Sequence, residues 1–141
     1  MTTPQWIWSR KCSFPSDMEF VHGLIQEVLD VLRRESWTPH DLFGVEMALE
    51  ESLANAVHHG NEDDPKKSVH FECGISDSLI RIQVEDEGPG FDFNSLQDPR
   101  SPENLEKASG RGVLLMHGFM SKVDYDNHGK HVTMEKNREY Q

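Results

Sequence analysis

The sequence has 141 residues, 35 % of them hydrophobic and 28 % charged, which suits one globular domain with a sizeable core and leaves little room for two. Asp and Glu number 25 against 14 Lys and Arg, a net charge of −11 with histidine neutral, so non-specific binding to a phosphate backbone is a poor expectation. An acidic chain can still hold a nucleotide, because local amides and a bound cation outweigh net charge there.

Residues 6–12 open on Trp6-Ile7-Trp8 and read as an edge strand, with Trp6 and Trp8 alternating onto one side for core or dimer packing. Ser16 and Asp17 can cap the helix that follows. Phe20, Leu24, Val28 and Val31 or Leu32 recur in it at helical spacing and mark a core-facing side. Residues 37–40 break the pattern, with Thr38 as a cap and Pro39 suited to a first helical turn. The next helix is expected from about Pro39 to His59, with Leu42, Val45, Leu49, Leu53 and Ala56 on its buried side and Gly60-Asn61 as its stop. A polar loop over 61–67, with the acidic run 62–64 solvated, leads to strands at 69–75 and 79–84. In the second, Ile80, Ile82 and Val84 oppose Leu79, Arg81 and Gln83. Ser76-Asp77-Ser78 reads as the hairpin turn between them.

The pattern dissolves over 87–109, a long glycine- and proline-bearing segment of the kind often used as a lid. Its stretch 92–109 has few large apolar groups, Phe93, Leu96 and Leu105. Helix signal returns at 113–120, and two strands at about 122–126 and 130–136 flank a turn at 127–129. The order of elements predicts a two-layer α/β sandwich, a mixed, mostly antiparallel sheet with helices on one face. One domain is expected over 1–141, with its core at about 16–138. Cys12 and Cys73 form neither a zinc spacing nor a disulfide framework, so two reduced thiols are expected. The first residues do not read as a signal peptide, and apolar runs such as 113–116 are far too short to span a bilayer. No membrane association is expected, and a cytoplasmic location is the default.

Three segments have chemistry of their own. Glu51, Asn55 and His59 are spaced by four, so they form one stripe along a helix, where a carboxylate and an amide can share water or a cation. Asp86-Glu87-Gly88-Pro89-Gly90-Phe91 follows a strand at once. There Asp86 can accept a hydrogen bond from an exocyclic amine, and Gly88 and Gly90 let backbone come close to a flat ring. In Gly110-Arg111-Gly112-Val113, two glycines open a helix whose unpaired first amides suit phosphate oxygens, and Arg111 can add a charge-assisted bond. No Walker A loop and no GxGxxG after a strand are present.

In this order and spacing the three segments resemble the N, G1 and G2 boxes of the GHKL superfamily of ATP-binding domains. The resemblance is closest to bacterial anti-sigma factors of the serine-protein kinase type, and it covers about residues 16–138. It implies a Bergerat-type ATP-binding fold with ATP and Mg²⁺ as cofactors. It implies that Asn55 holds Mg²⁺ against the phosphates, that Glu51 is the general base or orients the attacking hydroxyl, and that Asp86 binds the adenine amine. Gly88 and Gly90 then correspond to backbone beside the base, and Gly110, Arg111, Gly112 and Val113 to the phosphate-facing helix start. His59 and Lys130 complete the implied nucleotide-binding set. Many family members carry threonine where Lys130 stands, and a lysine cannot supply a hydroxyl that both donates and accepts. The implied activity is phosphorylation of a serine or threonine on a STAS-like anti-anti-sigma partner, with sequestration of a sigma factor in its absence, by a homodimer without direct nucleic-acid contact. The alternative is a regulatory binding module that acts by sequestration alone, with or without bound ATP. A lid over 92–109 is expected to close on the nucleotide.

Overall fold

A computed structural model of the chain describes residues 5–89, 119–126 and 130–140. The first strand, β1 (Trp8–Pro15), lies further along than expected because Phe14 belongs to the core and pairs with Val69. Pro15 is tolerated at its end because β1 is an edge strand, where a missing donor costs little. The chain bends at Ile7, so Trp6 and Trp8 do not share a side. Trp8 packs toward the core, whereas Trp6 covers Gly74 on the opposite face, where a Cβ would meet its ring at 2.5 Å. The Arg81 guanidinium lies 5.3 Å from the Trp6 ring centroid and adds a cation–π contact.

Asp17 caps α1 (Met18–Arg34), its Oδ1 accepting the Glu19 N–H at 2.9 Å. Leu24, Val28, Val31 and Leu32 are buried as their spacing predicts, together with Val21, Ile25 and Leu29. Phe20 differs: it is 39 % exposed and stacks on Phe14 at 4.5 Å from the rim of the core. Trp37, expected only to interrupt the pattern, is buried. Thr38 caps α2 (Pro39–Ala54), with Oγ1 accepting the Asp41 N–H at 3.1 Å and Pro39 in the first turn. Val45, Leu49 and Leu53 are buried there, and Leu42 is half-buried. The helix does not run unchanged to His59. From Asn55 to Gly60 it widens to a π-helix, and the Asn61 N–H closes on the Ala56 carbonyl at 2.8 Å.

Strands β2 (Ser68–Ile75), β3 (Leu79–Glu85), β4 (Lys122–Asp126) and β5 (His131–Asn137) complete a sheet in the order β1-β2-β3-β5-β4. All four pairings are antiparallel, so the parallel pair that a mixed sheet needs is not found among the described strands. In the β2–β3 turn the Ser76 hydroxyl oxygen accepts the Leu79 N–H at 3.1 Å, as the Ser-Asp-Ser turn predicts. Val69, Phe71, Cys73, Ile75, Ile80, Ile82, Val84, Val132 and Met134 alternate onto one face and close the core against the helices. Both cysteines are free, and burial pushes the Cys73 thiol well above its ordinary value. Among the described residues, no helix is long and apolar enough to cross a membrane. The lid expected over 92–109, residues 113–118 of the helix expected over 113–120, and the turn at 127–129 lie outside the described residues.

An unforeseen ion pair ties α2 to β5. Lys136 Nζ lies 3.4 Å from Asp41 Oδ1, with the side chains 8 % and 0 % exposed, and the Glu139 N–H donates to Asp41 Oδ2 at 2.9 Å. Removing Asp41 leaves the buried Lys136 ammonium with only the half-exposed Glu139 carboxylate, 3.7 Å away, and takes the acceptor from the Glu139 N–H, so Asp41→Ala is expected to lower the unfolding free energy by about 3 kcal/mol. The double change Asp41→Leu/Lys136→Met should recover most of that loss. Urea denaturation of the single and double variants checks both statements.

Candidate functional site

The site is built where the end of α2 meets the end of β3. Leu49, Ser52, Leu53, Ala56 and Val57 are buried and anchor the helix end in the core. Glu51 and Asn55 lie half-buried beside them. The Asn55 N–H reaches the Glu51 carbonyl, so these two residues keep the i, i+4 relation that stacks their side chains. The π-helix begins at Asn55, so His59 is reached through a wider turn, and it is exposed. Such widened turns often occur at functional sites.

Gly60 ends the π-helix against Asp86. A Cβ on Gly60 would fall 2.3 Å from the Asp86 carboxylate carbon, and one on Gly88 would fall 1.6 Å from the Gly60 carbonyl oxygen. Only glycine therefore permits these two backbones and the carboxylate to meet. Asp86 is held through its own N–H, which donates to the Lys130 carbonyl at 2.9 Å, and through Oδ1, which accepts the Gly88 N–H at 2.9 Å. Burial holds its carboxyl above the usual carboxylate range, against the Gly88 bond and the Lys130 charge, which pull it down. Asn55, Asp86, Gly88 and Lys130 thus come from the helix end, the exit of β3 and the start of β5. Gly90, Gly110, Arg111, Gly112 and Val113 lie outside the described residues.

Two residues of this junction were not read as functional from the sequence. Asn61 is fully buried, and Glu87 bridges two segments, with Oε1 accepting the Ser68 N–H at 2.8 Å and Oε2 lying 2.9 Å from His70 Nε2. These contacts hold the Glu87 carboxyl below its ordinary value, the Ser68 amide contributing most. A glycine–asparagine pair at a helix end reads as a stop, so the only signal for Asn61 was its place beside the N box. Among the described residues, no group of three or more His, Cys, Asp or Glu is arranged to hold a metal ion. His58 instead bonds Asp63.

The donor chemistry fits a magnesium nucleotide. The Asn55 carboxamide oxygen is a hard donor of the kind Mg²⁺ accepts alongside phosphates and water. Asp86 is a half-buried carboxylate acceptor suited to an amine N–H. Glu51 supplies a carboxylate one turn from Asn55.

Residues 14–136 match the family model described as a histidine kinase-like ATPase domain. The chain is similar to the serine-protein kinase RsbW of Bacillus subtilis (strain 168), 31 % identical over 130 residues that cover 86 % of this chain and 81 % of that one. It is also similar to the anti-sigma F factor of Clostridium perfringens (strain SM101 / Type A), 33 % identical over 106 residues, 70 % of this chain and 74 % of that one. Among solved structures it is similar to the RsbU and RsbW domains of a Mycobacterium tuberculosis protein, with a TM-score of 0.61 at 13 % identity. That match covers 94 % of this chain and 33 % of the other, and at this identity the likeness concerns the fold alone.

Proposed function

The chain belongs to the histidine kinase-like ATPase domain family, and from that premise we propose that it is an ATP-binding anti-sigma factor that phosphorylates a serine or threonine of a STAS-like anti-anti-sigma partner. The observation that carries this reading is the meeting of Gly60, Asp86 and Gly88 beside the stacked Glu51 and Asn55. Together they offer a base acceptor, a cation ligand and a carboxylate at one helix end.

When bound, ATP with Mg²⁺ supplies a transferable γ-phosphoryl group whose oxygens are partly neutralised. Asn55 would hold the cation through its carboxamide oxygen, and Asp86 would accept the adenine amine. Gly88, Gly90 and Lys130 would flank the base, while Gly110, Arg111, Gly112 and Val113 would face the phosphates beneath a lid over 92–109. His59 would close the outer end of the helix stripe. Glu51 would serve as general base for the partner's hydroxyl, whose oxygen would bond to the γ-phosphorus of the substrate ATP as the bond to ADP breaks. We place the reaction in the cytoplasm, in a homodimer of this single domain that captures a sigma factor when the partner is absent and makes no direct contact with nucleic acid or membrane. Lys130 favours a second reading, sequestration without catalysis, because a lysine cannot replace a hydroxyl that both donates and accepts.

The test is transfer of labelled γ-phosphate from ATP to a purified anti-anti-sigma protein, with sigma-factor capture measured in parallel. Transfer supports the kinase reading; capture without transfer supports the second. Asn55→Ala should remove the Mg²⁺ ligand and leave Leu53, Ala56 and Val57 packed. The expected result is a folded protein whose ATP affinity no longer improves on adding Mg²⁺, with about tenfold or more lost in its presence. Calorimetry with and without a chelator measures it, and an unchanged Mg²⁺ dependence removes that role from Asn55.

A further inference from the structure

Asn61 joins three segments that are distant in the chain. Its Nδ2 donates to Ser16 Oγ at 3.0 Å, before α1, and to the Ser68 carbonyl at 2.9 Å, at the start of β2. Its Oδ1 accepts the Glu87 N–H at 2.7 Å, one peptide beyond Asp86. Both amide protons are therefore committed, and the side chain is fully buried. Aspartate would lose both donors. Ser68 returns the contact through its own N–H, which donates to Glu87 Oε1, so Asn61, Ser68 and Glu87 form a closed ring.

The consequence falls on Asp86. The peptide before its Cα is pinned at Lys130, and the peptide after it is pinned at Asn61. With both fixed, the direction of the Cα–Cβ bond is set, and the Gly88 N–H fixes the carboxylate rotation. The far end of this system is the wall of Gly60, the residue next to Asn61 in the chain. We propose that Asn61 is a positioning residue that aims the Asp86 carboxylate and thereby sets the preference for a base bearing a 6-amino group. This rests on the reading of Asp86 as the adenine acceptor.

The experiment compares ATP with inosine triphosphate, which lacks that amine, on wild type and Asn61→Ala under conditions where both are folded. Wild type should prefer ATP. In Asn61→Ala the ATP-to-ITP affinity ratio should fall about tenfold or more, with ITP affinity kept within about threefold, because a misaimed charge-assisted bond affects only the base that uses it. A merely structural role would weaken both nucleotides together and preserve the ratio. Should the variant not fold, wild type provides the second measurement. Adenosine should slow exchange of the Glu87 N–H and the Asn61 side-chain amide protons, and inosine should do so much less. Equal slowing by the two nucleosides, or none, overturns the proposal. A ratio unchanged in Asn61→Ala overturns the positioning role alone, whereas a wild type that binds ATP and ITP equally overturns the Asp86 reading and this role with it.

Discussion

Replacing Glu51 with Gln is expected to give a folded, nucleotide-binding protein whose transfer of γ-phosphate falls by about 10²–10⁴-fold, the usual contribution of a positioned general base. The change is isosteric. The Glu51 carbonyl still receives the Asn55 N–H, and the buried Ser52 and Leu53 behind it are untouched. Glutamine can still accept a hydrogen bond from the partner's hydroxyl, so orientation survives while proton uptake does not. Single-turnover transfer measured at saturating ATP, beside a calorimetric affinity, separates the two contributions. Lost transfer with retained affinity supports the base role. Equal rates would mean that Glu51 takes no proton, whereas no transfer by either protein, with sigma capture retained, would leave sequestration as the function.

Asp86→Asn is expected to lose adenine-nucleotide affinity by about 10–100-fold, the worth of one charge-assisted hydrogen bond. The asparagine Oδ1 can keep the Gly88 N–H, but its amide would face the base amine donor to donor. Fold stability should move the other way. Burial raises the Asp86 carboxyl, so the folded state favours its protonated form. The stabilisation linked to that proton is present below the unfolded carboxylate value and is lost as pH rises through the higher folded value. At neutral pH the ionised Asp86 therefore works against folding, and Asp86→Asn should match or exceed wild type in Tm. That advantage should vanish in acid below the ordinary aspartate range. Thermal melts against pH, paired with nucleotide titrations, check both parts. A variant that is less stable at neutral pH and binds ATP normally would contradict both. Sites that place function above stability are expected to show this exchange.

The helices were legible because their signals are local. Asp17 and Thr38 are caps read directly from the sequence, and the spacing of Leu24, Val28, Val45, Leu49 and Leu53 marks faces that are indeed buried. The strands of β2 and β3 followed from alternation and a Ser-rich turn. What escaped depends on contacts between distant segments. Nothing near Trp6 announces that Gly74 leaves space for its ring, so the two tryptophans were given one side. Asp41 and Lys136 have no local signal of pairing, because their mutual burial appears only when α2 lies on β5. The π-helix changes hydrogen-bond spacing without changing residue preference, so Asn55–Gly60 read as continuing α-helix. At the site, the N and G1 boxes were recognisable as strings. That Gly60 and Gly88 would touch across Asp86, and that Asn61 would fasten both, required the sheet register that brings Ser68 beside the exit of β3.

The most direct measurement is calorimetric titration of the wild-type chain with ATP, with Mg²⁺ present and then chelated. Asn55 and Asp86 are assigned to opposite ends of one nucleotide, so the expected result is saturable ATP binding that weakens clearly when Mg²⁺ is removed. ITP should bind less tightly than ATP under both conditions. Absence of saturable heat up to millimolar ATP, where binding would be worth less than about 4 kcal/mol, would contradict it.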